Sequence, residues 1–143
     1  MVSDLVLTDI RAGYRVLTLN RPDRLNSFSA DLHAALMAAL IAAEQDKSCR
    51  ALILTGTGRG FCAGQDLSDG VFTPGETPDL SAPIEKFYNP LVRKLRGIPM
   101  PVVCAVNGVA AGCRREPGPC LRYRDRRAVG QVHPGLRQAW PRP

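Results

Sequence analysis

Two short stretches of small residues carry most of the chemistry that this 143-residue chain offers. Phe61-Cys62-Ala63-Gly64-Gln65-Asp66 follows the apolar run Ala51-Leu52-Ile53-Leu54, and Asn107-Gly108-Val109-Ala110-Ala111-Gly112 follows Val102-Val103-Cys104-Ala105-Val106. Residues without bulky side chains let the backbone approach a ligand and leave N–H groups free to point at an anion. Two strand-to-helix turns, each with an amide in a dry setting, could together hold a developing oxyanion. The same spacing suits two plain tight turns, and composition does not separate the readings.

Other chemistries fail on spacing. Gly56, Gly58, Gly60 and Gly64 suggest a phosphate cradle, but Phe61 stands where a dinucleotide fingerprint needs its third glycine. A P-loop needs Gly-Lys-Ser/Thr, and no lysine lies between Lys47 and Lys86. Cys49, Cys62, Cys104, Cys113 and Cys120 form no CxxC pair and the two histidines are isolated, which argues against a disulfide framework and a metal site. Cys49, Cys62 and Cys104 read as small buried apolar residues.

The elements that would position these turns follow from periodicity. Leu5, Leu7 and Ile10 alternate with polar residues up to Ala12-Gly13, and 14–19 resumes the alternation, which predicts a β-hairpin. Ser29 caps a helix to about Asp46, with Asp31 in its first turn; Leu32, Leu36, Leu40 and Met37, Ile41 form its apolar stripe and His33 sits at its solvent edge. The runs 51–54 and 102–106 read as covered strands. Between them, 68–83 reads as a long loop, and 84–96 as a helix with Pro90 near its start or kinking it. The order strand, helix, strand, helix, strand is α/β.

The net charge of +6 is unevenly spread. Residues 1–112 hold 11 basic and 11 acidic groups, enough chain for one domain, whereas 113–143 hold eight Arg against Glu116 and Asp125. A neutral body argues against a nucleic-acid or anionic-membrane partner. The longest apolar stretch, Ala34 to Ala43, is ten residues, about half of a membrane span. The acidic start lacks the pattern of a secretory leader, so a cytoplasmic location is expected.

LTLNRPDRLNSFS, ALILTGTGRGFCAGQDL and PVVCAVNGVAAG, in this order, resemble the enoyl-CoA hydratase/isomerase (crotonase) family across residues 5–112. Within it, FCAGQDL with IEKFYNPLVRKL and VVCAVNGVAAG resembles the branch of ring 1,2-epoxyphenylacetyl-CoA isomerases of phenylacetate degradation. The resemblance implies the N-terminal part of a ββα spiral that binds an acyl-CoA, the coenzyme A thioester being substrate and no separate cofactor being needed. The thioester enolate would be stabilised between two backbone amides, those of Gln65 and Cys113, the latter just after Gly112. Arg24 matches a position near the CoA phosphates, with a solvated loop charge as the plainer reading, and Ala63, Gly64 and Asp66 would line the turn around the ligand. Family members form trimers or hexamers, and the loop 68–83 is a candidate acyl-pocket wall.

After Gly112 the pattern breaks. The family continues with an apolar helix, a strand and the catalytic carboxylates, whereas this chain reads CRREPGPCLRYRDRRAVGQVHPGLRQAWPRP. Shifted by one base, Glu116 gives Asn or Ser, Cys120 gives Ala or Val, and Tyr123, Asp125 and His133 each give Ile or Thr. Gln131 and Gln138 give Lys or Arg, and Trp140 gives Gly. A permitted set of codons reads ANLALACDIVIAARSAKFIQAFAKLGLV across 115–142, which is the expected continuation. A one-base frameshift near the Gly112 codon follows as an expectation, with 113–143 an aberrant, disordered basic tail. Glu116, which falls by count at a hydratase glutamate, is then an accident of frame. The chain is expected to have little or no activity, to oligomerise poorly and to aggregate through uncovered strands at 51–54 and 102–106. The alternatives are a short CoA-binding pseudoenzyme and, on Tyr123 and Trp140 among the arginines, a basic-tail nucleic-acid binder.

Overall fold

Alternating β-favouring residues on either side of Ala12-Gly13 form the expected hairpin, β1 (Val6–Arg11) antiparallel to β2 (Tyr14–Leu19), with Val6 opposite Leu19 and Arg11 opposite Tyr14. The structure is a computed structural model that describes residues 4–66, 68 and 81–111. Gly13 closes the hairpin at φ +85°, a conformation that strains any L side chain.

β2 then pairs in parallel with β3 (Leu52–Gly56), and β3 with β5 (Val102–Cys104), giving the order β1-β2-β3-β5. Parallel neighbours require long crossovers. The first is α1 (Ala30–Gln45), whose start is fixed by the Ser29 hydroxyl accepting the Leu32 N–H at 3.2 Å. Leu32, Leu36 and Leu40 of α1 bury against Leu17, Leu19 and Leu52 of the sheet, so the apolar stripe is core. Arg15 of β2 reaches Asp46 beyond the helix end at 2.7 Å and offsets a carboxylate at the unfavourable pole of the helix dipole. The second crossover contains α2 (Ser81–Pro83), a π-helical turn (Ile84–Tyr88) and α3 (Asn89–Gly97). Pro90, which lacks an N–H, falls in the first turn of α3, where the wider turn gives way to α spacing and the Asn89 N–H donates to the Ile84 carbonyl.

Several sequence expectations need correction. His33 is not at the solvent edge but 4 % exposed, because Phe28 and Phe87 stack on its faces at 4.5 and 5.4 Å and Tyr88 meets it edge-on at 4.6 Å. Ile41 lies outside the core and is 40 % exposed. β5 is not covered on both faces: it is a lateral strand among the described ones, Val103 is exposed and Cys104 half-buried, although Cys49 and Cys62 are buried as expected. Val109-Ala110 does not open a helix. It forms β6 (Val109–Ala110), parallel to β4 (Gly60–Cys62), with Gly60 opposite Val109 and Cys62 opposite Ala110. The approach depends on Gly108, where a Cβ would lie 2.1 Å from the Arg59 carbonyl oxygen. Helix begins at Ser81, inside the stretch read as the 68–83 loop; residues 69–80 of that loop and everything from Gly112 onward lie outside the described residues.

Candidate active site

The β4–β6 pairing brings the two small-residue stretches side by side. The Ala111 N–H donates to the Cys62 carbonyl at 2.8 Å, and a Cβ on Gly64 would lie 3.2 Å from the Ala111 carbonyl oxygen. Gly64 sits at φ +97°, so the chain turns there in a way that favours glycine over every other residue. On the opposite side, residues 25–28 run alongside this turn. The Ala63 N–H donates to the Leu25 carbonyl, the Phe28 N–H to the Gly64 carbonyl at 2.7 Å, and the Asp66 N–H to the Phe28 carbonyl at 2.8 Å.

These bonds fix the direction of Gln65. Its neighbours on both sides bond to Phe28, so alternation turns the Gln65 N–H away from that segment. No described residue accepts a hydrogen bond from it. The Gln65 side chain is held separately, its Oε1 accepting the Tyr88 hydroxyl at 2.8 Å.

Two asparagines tie the loops that carry the turn. Asn26 is fully buried at φ +56°, a left-handed conformation that asparagine tolerates; its Nδ2 donates to the carbonyls of Thr57 and Gly60, and its Oδ1 accepts the Arg21 N–H. Asn107, three residues beyond β5, accepts the Gly56 N–H at 3.2 Å and donates to the Gly58 carbonyl at 3.0 Å. Both clamp residues 56–60 from opposite directions.

Asp66, expected beside the ligand, is buried and faces inward. Its carboxylate accepts the Ser68 hydroxyl and N–H at 2.7 and 3.0 Å and pairs with Arg21 at 2.9 Å. The Ser68 donors, and after them Arg21, hold this carboxyl at about 2, below its usual range. Arg21 also donates to the Ser27 carbonyl, so one guanidinium joins both sides of the turn. Arg24 closes the 3-10 turn Pro22–Arg24 and is exposed, one residue before the carbonyl that receives Ala63. Burial pushes the Cys62 thiol up, which leaves it protonated and unsuited to nucleophilic attack. No group of three or more His, Cys, Asp or Glu suited to a metal occurs among the described residues.

Sequence reading thus located Ala63, Gly64, Gln65 and Asp66, which the fold brings against Arg24's loop; Gly112, Cys113 and Glu116 lie outside the described residues. It missed Arg21, Asn26 and Tyr88, whose partners lie 45, 31 to 34 and 23 residues away. No local spacing announces such pairs. The one available signal is a polar residue, Asn26, wedged between Leu25 and Ser27 just after a proline turn.

Comparison with known proteins agrees with this geometry. The family model described as enoyl-CoA hydratase/isomerase matches residues 9–115. The chain is 56% identical over 110 residues to the 1,2-epoxyphenylacetyl-CoA isomerase of Escherichia coli, covering 76% of this chain and 42% of that protein. Among solved structures, an enoyl-CoA hydratase from Bacillus anthracis superposes with a TM-score of 0.65 at 28% identity, covering 74% of this chain and 41% of that one. A monofunctional enoyl-CoA isomerase from M. smegmatis superposes with a TM-score of 0.58 at 34% identity, with 74% and 42% covered. The described residues therefore form the N-terminal part of a crotonase-type fold, and the chain spans about two fifths of the length of these relatives.

Proposed function

Because this chain belongs to the enoyl-CoA hydratase/isomerase family, we propose that its two adjoining turns form the carbonyl-holding part of an acyl-CoA isomerase or hydratase. The Gln65 N–H is one donor to the thioester oxygen, and the N–H of residue 113 is the other. As a proton leaves the carbon beside the thioester, negative charge collects on that oxygen. Fixed amide dipoles stabilise it without having to reorganise, and they do so more strongly in the transition state than in the ground state. Neither donor needs a particular side chain, which accounts for Gly and Ala around both.

The observation that carries this reading is the Gln65 N–H turned away from residues 25–28, just after Gly64, which lies against the Ala111 carbonyl. Arg24, exposed next to the turn, is the proposed partner of the CoA phosphates, and Ala63 and Gly64 leave room for the pantetheine arm. Asp66 serves the site from within by holding Ser68 and Arg21. The 56% identity to an epoxyphenylacetyl-CoA isomerase favours isomerisation of a ring-bearing acyl group over hydration. A cytoplasmic setting is part of the proposal; among the described residues no helix is long and apolar enough to cross a membrane.

Residues 113–143 in their present frame break the family pattern, and we attribute them to a one-base shift near the Gly112 codon. The match to the family model ends at residue 115, within a few residues of that codon. On this account the 143-residue chain binds acyl-CoA weakly and turns it over little, since the out-of-frame residues after Gly112 do not form the apolar helix that would present the second amide donor. Sequencing the coding DNA and assaying the purified chain test both points together. Family-level turnover, or DNA without the alternative reading, contradicts the account.

A further inference from the structure

We infer that Tyr88 is a positioning residue for the Gln65 amide, holding the candidate oxyanion donor in place through a hydrogen bond from its hydroxyl to the Gln65 carboxamide. The inference rests on the acyl-CoA reading for its purpose, but not for its geometry.

Gln65 follows Gly64, which turns the chain at φ +97°, and the Gly64 carbonyl, in the same peptide plane as the Gln65 N–H, accepts the Phe28 N–H. A carbonyl accepts over a broad range of angles, so that one bond leaves the plane some tilt, and a second restraint beyond it fixes the amide's direction more closely. The backbone of Gln65 is held on one side, by the two bonds of its neighbours to Phe28. Its side chain is held on the other, by the Tyr88 hydroxyl at 2.8 Å. Tyr88 is itself fixed by packing: its ring meets His33 edge-on at 4.6 Å and Phe28 at 6.1 Å. The chain of contacts closes on itself, since Phe28 supplies both the backbone partners of 64 and 66 and one wall for the Tyr88 ring.

Tyr88 also ends the π-helical turn Ile84–Tyr88. A π turn inserts one residue into the helical ladder and rotates the residues after it relative to an uninterrupted helix, and such turns recur at functional sites. Here its last residue is the one that reaches across to the turn. Because a donor displaced by about 1 Å loses much of its effect on a developing charge, a second restraint on Gln65 has a catalytic rather than a merely structural use.

The test uses the full 143-residue chain, isotope-labelled, with Tyr88→Phe, which keeps the ring and removes the hydroxyl. Without ligand, the backbone order parameter of Gln65 is expected to fall from about 0.85 to below about 0.6, while that of Leu36 and the melting temperature stay unchanged. Exchange of the Asp66 N–H is expected to quicken roughly tenfold. Gln65→Met, which removes the acceptor and leaves Tyr88 intact, should have the same effect at 65 and 66 and serves if the first variant fails to fold. Unchanged order and exchange at both positions in either folded variant overturns the inference. In a second arm, phenylacetyl-CoA should bind Tyr88→Phe several-fold more weakly while CoA itself binds equally. If the thioester leaves Gln65 unperturbed in the unsubstituted chain, the acyl-CoA reading fails, and the ligand-free arm still decides the role of Tyr88.

Discussion

Asn26 shows how much of this site rests on a single buried amide. Its side chain satisfies the Arg21 N–H and two carbonyls of the 57–60 segment, the bond to Gly60 buried and the other two partly so. Asn26→Leu leaves those groups unpaired in the interior and is expected to cost about 2–4 kcal/mol, read as a lower urea midpoint with an unchanged slope. His33 gives a pH dependence whose sign follows from burial. Burial lowers it to about 4, so the folded chain keeps it neutral while the unfolded chain takes up a proton below about 6.5. Between these values the unfolded state binds more protons, and stability falls as pH falls. Urea midpoints at pH 7 and pH 5 should differ more in the unsubstituted chain than in His33→Phe, which keeps a ring in the stack; equal differences would remove His33 as the cause. Asp66 adds a lower window of the same sign: its carboxyl is held at about 2 by Ser68 and Arg21, so its contribution is lost as pH drops from about 4 through about 2.

At the scale of elements, the two turns depend on the close passage of β4 and β6. Gly108→Ala sets a methyl 2.1 Å from the Arg59 carbonyl, and backbone cannot yield as a flexible side chain can. The variant is expected to part β6 from β4 while the β1-β2-β3-β5 sheet survives, seen as faster amide exchange at Ala111 with little change at Leu54. The contrast shows what the sequence made legible. The hairpin, the Ser29 cap, the Leu32-Leu36-Leu40 stripe and the alternation of strands and helices along the chain could be read because each is a local period or a local stop signal. The pairing of Val109-Ala110 with Gly60–Cys62 could not, since two residues carry no period and the small side chains suit a helix start equally well. The burial of His33 was hidden for a related reason: the rings that enclose it lie partly on the same helix entry and partly over 50 residues away.

For the whole molecule, the described residues combine a filled leucine core with a lateral strand, β5, whose Val102 and Cys104 pack on that core while Val103 is exposed. Leu17, Leu19, Leu36 and Leu52 are buried, while Val103 is 48 % exposed and Val109 41 % exposed. An unpaired edge with exposed β-branched residues is a template for further strands. Concentration-dependent association of the purified chain is therefore expected by light scattering, and Val103→Lys should reduce it without lowering the melting temperature. Ala63 to Asp66 could be named from the sequence only through the resemblance carried by FCAGQDL, since composition alone suits a plain tight turn equally well. Their supports, Arg21, Asn26 and Tyr88, act across folds of the chain that no linear spacing records. The account as a whole turns on one amide. Nuclear magnetic resonance of the labelled chain, titrated with phenylacetyl-CoA and with its thioether analogue in which a methylene replaces the carbonyl, tests it most directly. The Gln65 amide proton should move downfield with the thioester and not with the thioether, while resonances around Arg24 respond to both; equal shifts of Gln65 with the two ligands, or none with either, would contradict the assignment of Gln65 as the carbonyl donor.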